Sequence, residues 1–483
     1  MAMSLTTLTP DLCVIGGGTG GLVVAAGAVQ MGASVVLIER HRMGGDCLNT
    51  GCVPSKALIA AAGVAATMRG AGAFGIAPVE PDVDFAAVQD HVRRIIEGIA
   101  PHDSIERFER LGVQVLTAHA AFTGPDEVLA GHFRIRARRF VVATGSAPAM
   151  PPVPGLAATP HFTNETIFEN RVRPEHLIVL GGGPIGVELA QAHRRLGSAV
   201  TILQKGSILP KDDPELVAVV RERLRAEGIE IRENVAVAEV ARSSATGPAG
   251  DMQAGVRVVL GGAEVVTGSH LLVAAGRRAV VAGLGLDRAG VRVSTKGIET
   301  DRRLRTSNRR IFAVGDVTGR QQFTHVAAHH AGIVLRNALF RLPAKIEERA
   351  VPWVTYTDPE LAHVGTTEAA IHAAGRTPTV LRFAFGENDR ARTARAGEGL
   401  IKVVTDRRGR VLGASIVGEG AGELLLPWVL AVRDRARLGS IASAIVPYPT
   451  LSEASKSVAA AYYAPKLFSC ATRKLVRLLA RFG

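Results

Sequence analysis

One pattern occurs twice in this chain and constrains its fold more than any other feature. Leu12-Cys13-Val14-Ile15 runs into Gly16-Gly17-Gly18-Thr19-Gly20-Gly21, and Leu177-Ile178-Val179-Leu180 runs into Gly181-Gly182-Gly183-Pro184-Ile185-Gly186. A helix is predicted after each, then a second apolar strand, Ser34 to Glu39 in the first copy and Ala199 to Gln204 in the second. The offset is constant: Gly16, Gly18 and Gly21 correspond to Gly181, Gly183 and Gly186, and Gly32 to Gly197. A lone GxGxxG is a weak signal, but a strand before it and a helix after it supply the context the motif needs. The glycines let the backbone approach a pyrophosphate, and the helix N-terminus stabilises its charge. Two such units predict an α/β chain that binds two dinucleotides.

The ends of the two second strands differ chemically. Glu39 can accept a hydrogen bond from an unphosphorylated adenosine ribose, which suits FAD or NAD. Its counterpart Gln204 is neutral, Lys205 follows, and Lys211 lies six residues further on. A neutral residue near cations tolerates a 2′-phosphate that a carboxylate would repel, so the second site is expected to take NADPH, with NADH as the alternative.

Cysteine is scarce, and two of the four stand close together: Cys47 and Cys52, in Gly44-Gly45-Asp46-Cys47-Leu48-Asn49-Thr50-Gly51-Cys52-Val53-Pro54-Ser55-Lys56. No hydrophobic signal segment precedes the first strand, so a cytoplasmic location is expected, where a close pair reads as catalytic or metal-binding rather than structural. A structural zinc site would want a second ligand pair at metal spacing, and the sequence offers none. Pro54 and the Ala-rich run Ala57 to Met68 predict a helix with Cys52 at its N-terminus, where partial positive charge favours thiolate. A redox dithiol is the expectation; two inert core cysteines are the alternative.

The formal net charge of +13 is compatible with nucleic acid, a membrane surface or an anionic cofactor. The cations are scattered and lack interleaved aromatics, so no nucleic-acid partner is expected. Without a run of 18 apolar residues, no membrane span is expected either.

A paired cysteine motif with a four-residue gap, set between two dinucleotide units, resembles the pyridine nucleotide–disulphide oxidoreductases, the family of dihydrolipoamide dehydrogenase, glutathione reductase and mercuric reductase. Phe140-Val141-Val142-Ala143-Thr144-Gly145 resembles the family's ATG strand, and Ala275-Gly276-Arg277-Arg278 its second nicotinamide-domain signature. Ile311-Phe312-Ala313-Val314-Gly315-Asp316 resembles its second flavin motif, and Trp353 to Glu360 the start of its dimerisation domain. The resemblance implies two Rossmann-type dinucleotide-binding domains plus a C-terminal α+β dimerisation domain, and hence a homodimer. The expected division is 1–150 for the first part of the FAD-binding domain, 151–281 for the NAD(P)H-binding domain, 282–348 for the second FAD part and 349–483 for dimerisation. Within it, Ser243 to Gly255 reads as a loop, Leu400 to Thr405 and Val411 to Val417 as strands around a turn, and Gly422 to Arg435 as a helix.

By the same resemblance, NADPH reduces FAD and FAD reduces a Cys47–Cys52 disulfide. Cys52 is then the flavin-proximal thiol and Cys47 the interchange thiol that meets substrate. Lys56 is expected near the flavin, paired with Glu188 on the second Rossmann helix, where the cation stabilises negative charge on reduced flavin. Thr144, Gly145, Asp316 and Gly276 are implied as further cofactor-binding residues.

The substrate side departs from the disulfide-reducing members, which carry a histidine acid–base in a His-Pro-Thr-x-Ser-Glu motif. Here Pro447-Tyr448-Pro449-Thr450-Leu451-Ser452-Glu453 places Tyr448 at the histidine position, with Glu453 retained. The last histidine in the chain is His372. Unperturbed Tyr (pKa about 10) is roughly 5 kcal/mol worse placed than His (about 6.5) to exchange a proton near neutral pH. Acid–base catalysis is commonly worth about 10²- to 10⁴-fold, so efficient disulfide turnover is disfavoured. Mercuric reductases resemble the chain better here: they carry Pro-Tyr at this place, and Hg(II), a soft ion suited to two thiolates, needs no histidine base. Such enzymes also end in a vicinal cysteine pair. This chain has the single Cys470, a candidate third Hg(II) ligand beside Cys47 and Cys52. A lipoamide- or glutathione-type reductase is the alternative within the family, and a flavoprotein redox sensor or partner-binding subunit the alternative outside it.

Other features take plain readings. His325, His329 and His330 lack the glutamate of a metalloprotease helix. Cys13 is expected as a buried small hydrophobe. Lys466 to Gly483 has the spacing of a short basic amphipathic helix, expected to dock on the protein or lie in solvent, with membrane-surface contact the lesser reading.

Overall fold

The computed structural model describes residues 5–246 and 252–482. They form two compact units, one of residues up to Lys205 together with Ile231–Ile346, the other of Gly206–Glu230 together with Glu347 onward.

The first unit is built on a five-stranded sheet in the order Ile311–Ala313, Arg139–Val142, Leu12–Ile15, Val35–Glu39, Val113–Thr117, every pair parallel. Parallel neighbours need crossovers that place helices on the sheet faces, so its strands are near-continuous apolar runs. Leu12–Ile15 is buried at all four positions, and Cys13 is one of them, as expected of a small hydrophobe. The second glycine repeat opens a four-stranded sheet, in the order Glu230–Arg232, Ala199–Leu203, His176–Leu180, His270–Val273.

The repeat seen in the sequence is a repeat in space. Gly16 and Gly181 take φ of +112° and +118°. A Cβ on Gly21 would come within 1.9 Å of the Gly16 carbonyl oxygen, and one on Gly186 equally close to that of Gly181. In both copies, therefore, only glycine lets the helix start tightly against the strand.

The second unit holds a five-stranded antiparallel sheet ordered Pro352–Thr355, Glu360–Gly365, Val411–Gly418, Leu400–Thr405, Thr379–Ala384. Helices Leu426–Arg433 and Ser452–Ala461 help close its core, with Trp428 fully buried and its indole N–H given to Ser455 Oγ at 3.1 Å. Helix Pro214–Ala226 belongs here because Lys402, 5% exposed, pairs with Asp213 at 2.7 Å and Glu215 at 2.9 Å.

Segments 1–150 and 282–348 share one sheet, and Arg277–Ala279 pairs with Ser146–Pro148. Residues 206–230 of the expected nicotinamide segment fall in the second unit, the rest of it in the first. Two local expectations are revised. The Ser243–Gly255 loop is largely strand, Val237–Thr246 and Met252–Leu260 pairing antiparallel; its tip lies outside the described residues. The predicted helix 422–435 is two helices, Ala421–Leu424 and Leu426–Arg433, the second opening on Pro427, whose missing N–H suits a helix start. One helical stretch, Gly45–Phe74, is long and apolar enough by length and composition to cross a membrane, a test that the core helix of a folded unit also passes. It carries the cysteine pair, and Leu58, Ala62 and Ala65 on it are buried within the unit.

Candidate active site

Backbone geometry fastens the cysteine segment to the first glycine loop. Gly44 N–H donates to Gly17 O at 2.9 Å, and a Cβ on Gly45 would lie 2.6 Å from Gly18 Cα. The two glycines of Gly44-Gly45 thus let the cysteine-bearing turn lie against the dinucleotide loop. Cys47 sits in the short helix Gly45–Asn49, and Cys52 is the first residue of helix Cys52–Gly70. Pro54 lies two residues further in than a first position, still within the turn whose N–H groups have no intrahelical partner.

Both cysteines are free thiols. Each thiol is the largest influence on the pKa of the other, and Cys52 Sγ lies 3.4 Å from Thr324 Oγ1. The Cys47 hydrogen bond is the largest of the influences that bring Cys52 down to about 6; Thr324 and the Lys56 charge add to it, against burial. The same hydrogen bond, with burial, pushes Cys47 well above the ordinary thiol range. The pair is electrostatically divided: a thiolate at Cys52 and a thiol at Cys47.

Lys56, one helical turn on from Cys52, pairs with Glu188 at 2.8 Å; Glu188 is 6% exposed on helix Pro184–Arg195. A second ionic group stands beside Cys47. The Asp46 carboxylate accepts from Thr50 Oγ1 at 2.8 Å and Asn164 Nδ2 at 3.1 Å, and pairs with Arg277 at 3.1 Å. Arg277 also donates to Ser146 Oγ at 2.7 Å and to Ser146 O at 3.0 Å. The Asp46 charge raises the pKa of both thiols, and Arg277 is its paired cation. Sequence reasoning quoted Arg277 only within a signature and gave Asp46, Asn164, Ser146 and Thr324 no role. No periodicity relates residues 231 positions apart, so only the adjacency of Asp46 to Cys47 was a signal.

The residues present fit two dinucleotides. Glu39 ends its strand with Oε2 taking Gly17 N–H at 2.6 Å and Oε1 taking His41 N–H at 2.8 Å. Gln204 repeats the arrangement, its Oε1 taking Gly182 N–H at 2.8 Å. A Cβ on Gly183 would meet nothing within 4 Å, so there is room above that loop for a diphosphate. Gly276, at φ +123°, is likewise open. Thr144 Oγ1 donates to Val280 O at 2.7 Å, and Gly145 turns the chain at φ +68°. Asp316, half-buried, accepts from Ser146 Oγ at 2.6 Å, and burial raises its carboxyl above the usual range. Lys205 is exposed at the end of the first unit, whereas Lys211, also exposed, belongs to the second.

His330 is a residue whose role the sequence left vague. It is buried, burial lowers it to about 4, and its neutral Nδ1 accepts from Gly315 N–H at 3.2 Å. It braces the turn that carries Asp316. His325 stacks on Phe323 with centroids 5.3 Å apart. Among the described residues no group of three or more His, Cys, Asp or Glu could hold a metal ion.

Tyr448, Glu453 and Cys470 belong to the second unit, so the geometry above joins only Cys47, Cys52, Lys56 and Glu188 of the expected catalytic set. Tyr448 is exposed, and its phenol donates to Asp389 Oδ2 at 3.1 Å, which raises its pKa further above the phenol range. Glu453 Oε2 accepts from Thr450 N–H at 3.4 Å. Cys470 is an exposed thiol at the start of helix Cys470–Leu479.

A glycine loop at each of two parallel sheets, with a dithiol fastened to the first, defines a dinucleotide-dependent dithiol–disulfide oxidoreductase. The chain belongs to the pyridine nucleotide-disulphide oxidoreductases: that family model matches residues 10–331, and its dimerisation-domain model matches 351–459. It is therefore an FAD-dependent enzyme that uses NAD(P)H, and its dimerisation domain supports a homodimer. It is 36% identical to a mercuric reductase of Streptomyces lividans over 95% of this chain and 98% of that protein. It is 35% identical to dihydrolipoyl dehydrogenase 2 of Haloarcula marismortui over 95% and 98%. Among solved structures, the Cu(II) complex of the HOCl-induced flavoprotein disulfide reductase RclA from Escherichia coli superposes with a TM-score of 0.83 at 26% identity, over 92% of this chain and 99% of that one.

Proposed function

We propose that this enzyme reduces Hg(II) to Hg(0) at the expense of NADPH, with the reduced Cys47–Cys52 pair taking the ion. The observation that carries the reading is Tyr448: where disulfide-reducing relatives place a histidine, this chain has a phenol held to Asp389 with its pKa raised. Such a group is a poor proton carrier at neutral pH. The 36% identity to a mercuric reductase supports the same choice.

Bound FAD supplies the two-electron relay between nicotinamide and dithiol. The chain's own groups do the rest. Cys52, near 6, presents a thiolate at neutral pH. A soft ion displaces the Cys47 proton to solvent by forming an S–Hg bond, so no side-chain base is required. Lys56, held by Glu188, keeps a positive charge beside the pair, and Arg277 offsets Asp46. The sum is Hg(II) + NADPH giving Hg(0) + NADP⁺ + H⁺. Gln204 with Lys205 supports NADPH over NADH, Cys470 is the candidate handover thiol, and a cytoplasmic location goes with the reading.

The test is NADPH consumption by the holoenzyme with Hg(II) in excess small thiol, against oxidised lipoamide and glutathione. Sustained turnover with Hg(II) alone is expected. Turnover with a disulfide but not Hg(II) would reject the proposal in favour of the dehydrogenase reading that the 35% relative suggests. Silence with all three would point to a sensor or partner-binding role.

A further inference from the structure

Beyond the thiol of Cys470 at its start, the helix Cys470–Leu479 takes no part in the chemistry above, yet among the described helices its cations and apolar residues are the most sharply segregated. Ser469 caps it, accepting from Thr472 N–H at 3.2 Å. At about 100° per residue, Arg473, Lys474 and Arg477 fall within an arc of roughly 100°, while Leu475, Val476, Leu478 and Leu479 occupy the opposite side. None of the helix is buried: those four apolar residues are 49–59% exposed, and Phe482 just beyond is 81% exposed. Of the two expected placements, docked on the protein or lying in solvent, the exposed helix fits the second.

We infer that the helix Cys470–Leu479, with Leu467, Phe468, Arg481 and Phe482 flanking it, is a docking element for the surface of an anionic phospholipid bilayer. Three features of the segment select that occupant. From Ala464 to Gly483 there are five cations, Lys466, Arg473, Lys474, Arg477 and Arg481, and not one Asp or Glu. Among the described residues none of these five has an ion-pair partner, so their charge is available to a ligand. The cations and the apolar side chains occupy separate faces, the arrangement that lets acyl chains take one and headgroup phosphates the other. A second copy of this helix would match apolar face to apolar face but bring like charges together along its flanks. One short helix binds weakly, and a homodimer doubles the contact.

The test uses the full holoenzyme and flotation with vesicles of phosphatidylcholine alone or with added phosphatidylglycerol. Binding to the anionic vesicles at low salt is expected, with loss at high salt and little binding to phosphatidylcholine. R473Q/R477Q should weaken the partition by about 30-fold, from the contribution of each cation near an anionic surface. L475S/L479S should weaken it through the apolar face; flavin absorbance and NADPH-dependent activity in solution should stay unchanged in both variants. Equal binding to both vesicle types, no binding to either, or a sedimentation mass above the dimer that L475S/L479S brings back to it would each overturn the inference, the last in favour of a second copy as occupant.

Discussion

Removing the Cys47 thiol should raise the pKa of Cys52, by an amount that the strength of a hydrogen bond to an ionised group sets. Cys52 stands at about 6, with the hydrogen bond from Cys47 the largest downward influence, ahead of Thr324 and Lys56. A hydrogen bond to an ionised acceptor contributes about 1.5–3 kcal/mol. At about 1.4 kcal/mol per unit, its loss in Cys47→Ala is worth roughly 1–2 units, bringing Cys52 to roughly 7–8. Cys47→Ser keeps a donor and should leave Cys52 near the lower value. The thiolate share at pH 7 then falls from about 90% in C47S to somewhere between about 10% and 50% in C47A. In either variant the lone thiolate can be followed by its charge-transfer absorbance with oxidised flavin, titrated across the neutral range. Alkylation of Cys52 by iodoacetamide, read by mass spectrometry, gives an independent curve. Flavin electrostatics are common to both variants, so the difference isolates the hydrogen bond. Superimposable titrations for C47A and C47S would refute the division of the pair into a supported thiolate and its donor.

Tyr448→His should raise turnover with oxidised lipoamide by about 10²-fold or more if the missing acid–base is the handicap, and an unchanged rate would show that it is not. Gln204→Glu should raise the KM for NADPH at least about fivefold relative to NADH, since even water leaves about 1 kcal/mol of repulsion between charges 4 Å apart; equal changes for both would remove Gln204 from specificity. Lys56→Met removes the Lys56 charge from Glu188, 6% exposed, and should lower stability by about 2–3 kcal/mol, less than the roughly 3–5 kcal/mol of a fully buried pair because Lys56 is itself partly exposed. K56M/E188Q should recover most of that in urea melts, while a single variant as stable as wild type would contradict the pairing. Lys402→Met leaves Asp213, 5% exposed, without its cation and should cost about 3–5 kcal/mol. In the same cluster Arg382 first, then Lys402, hold Glu215 near 2, below its unfolded value. Its contribution is complete above about pH 4.3 and is lost as pH falls towards 2, so acid melts of wild type should steepen in that window.

Reading the two dinucleotide sites from sequence worked because each is a local object. The Gly16 and Gly181 turns, the strands before them and the acidic or amide residue at the second strand's end lie within about one βαβ unit. Helix Cys52–Gly70 was legible for the same reason, as were strands Leu400–Thr405 and Val411–Gly418 around their turn. Boundaries failed where one residue overrode a smooth composition: Pro427 divides a helix, and pairing extends strands through the Ser- and Gly-rich stretch before Thr246 and after Met252.

By itself, the sequence determined the class of chemistry: two nucleotide cradles, one close cysteine pair and a tyrosine where a histidine would serve a disulfide. Motifs of this kind are set by backbone conformation and by spacing along the chain, and both are written locally. Which thiol is ionised was a tertiary matter. It depends on Cys47 facing Cys52, on Thr324 arriving from a helix 272 residues away, and on Arg277 neutralising Asp46 from a strand 231 residues on. His330 at Gly315 and Lys402 among three carboxylates are of the same kind. Such groups meet only when distant segments pack. Electrostatic energy depends on separation in space and on burial, neither of which the order of residues records.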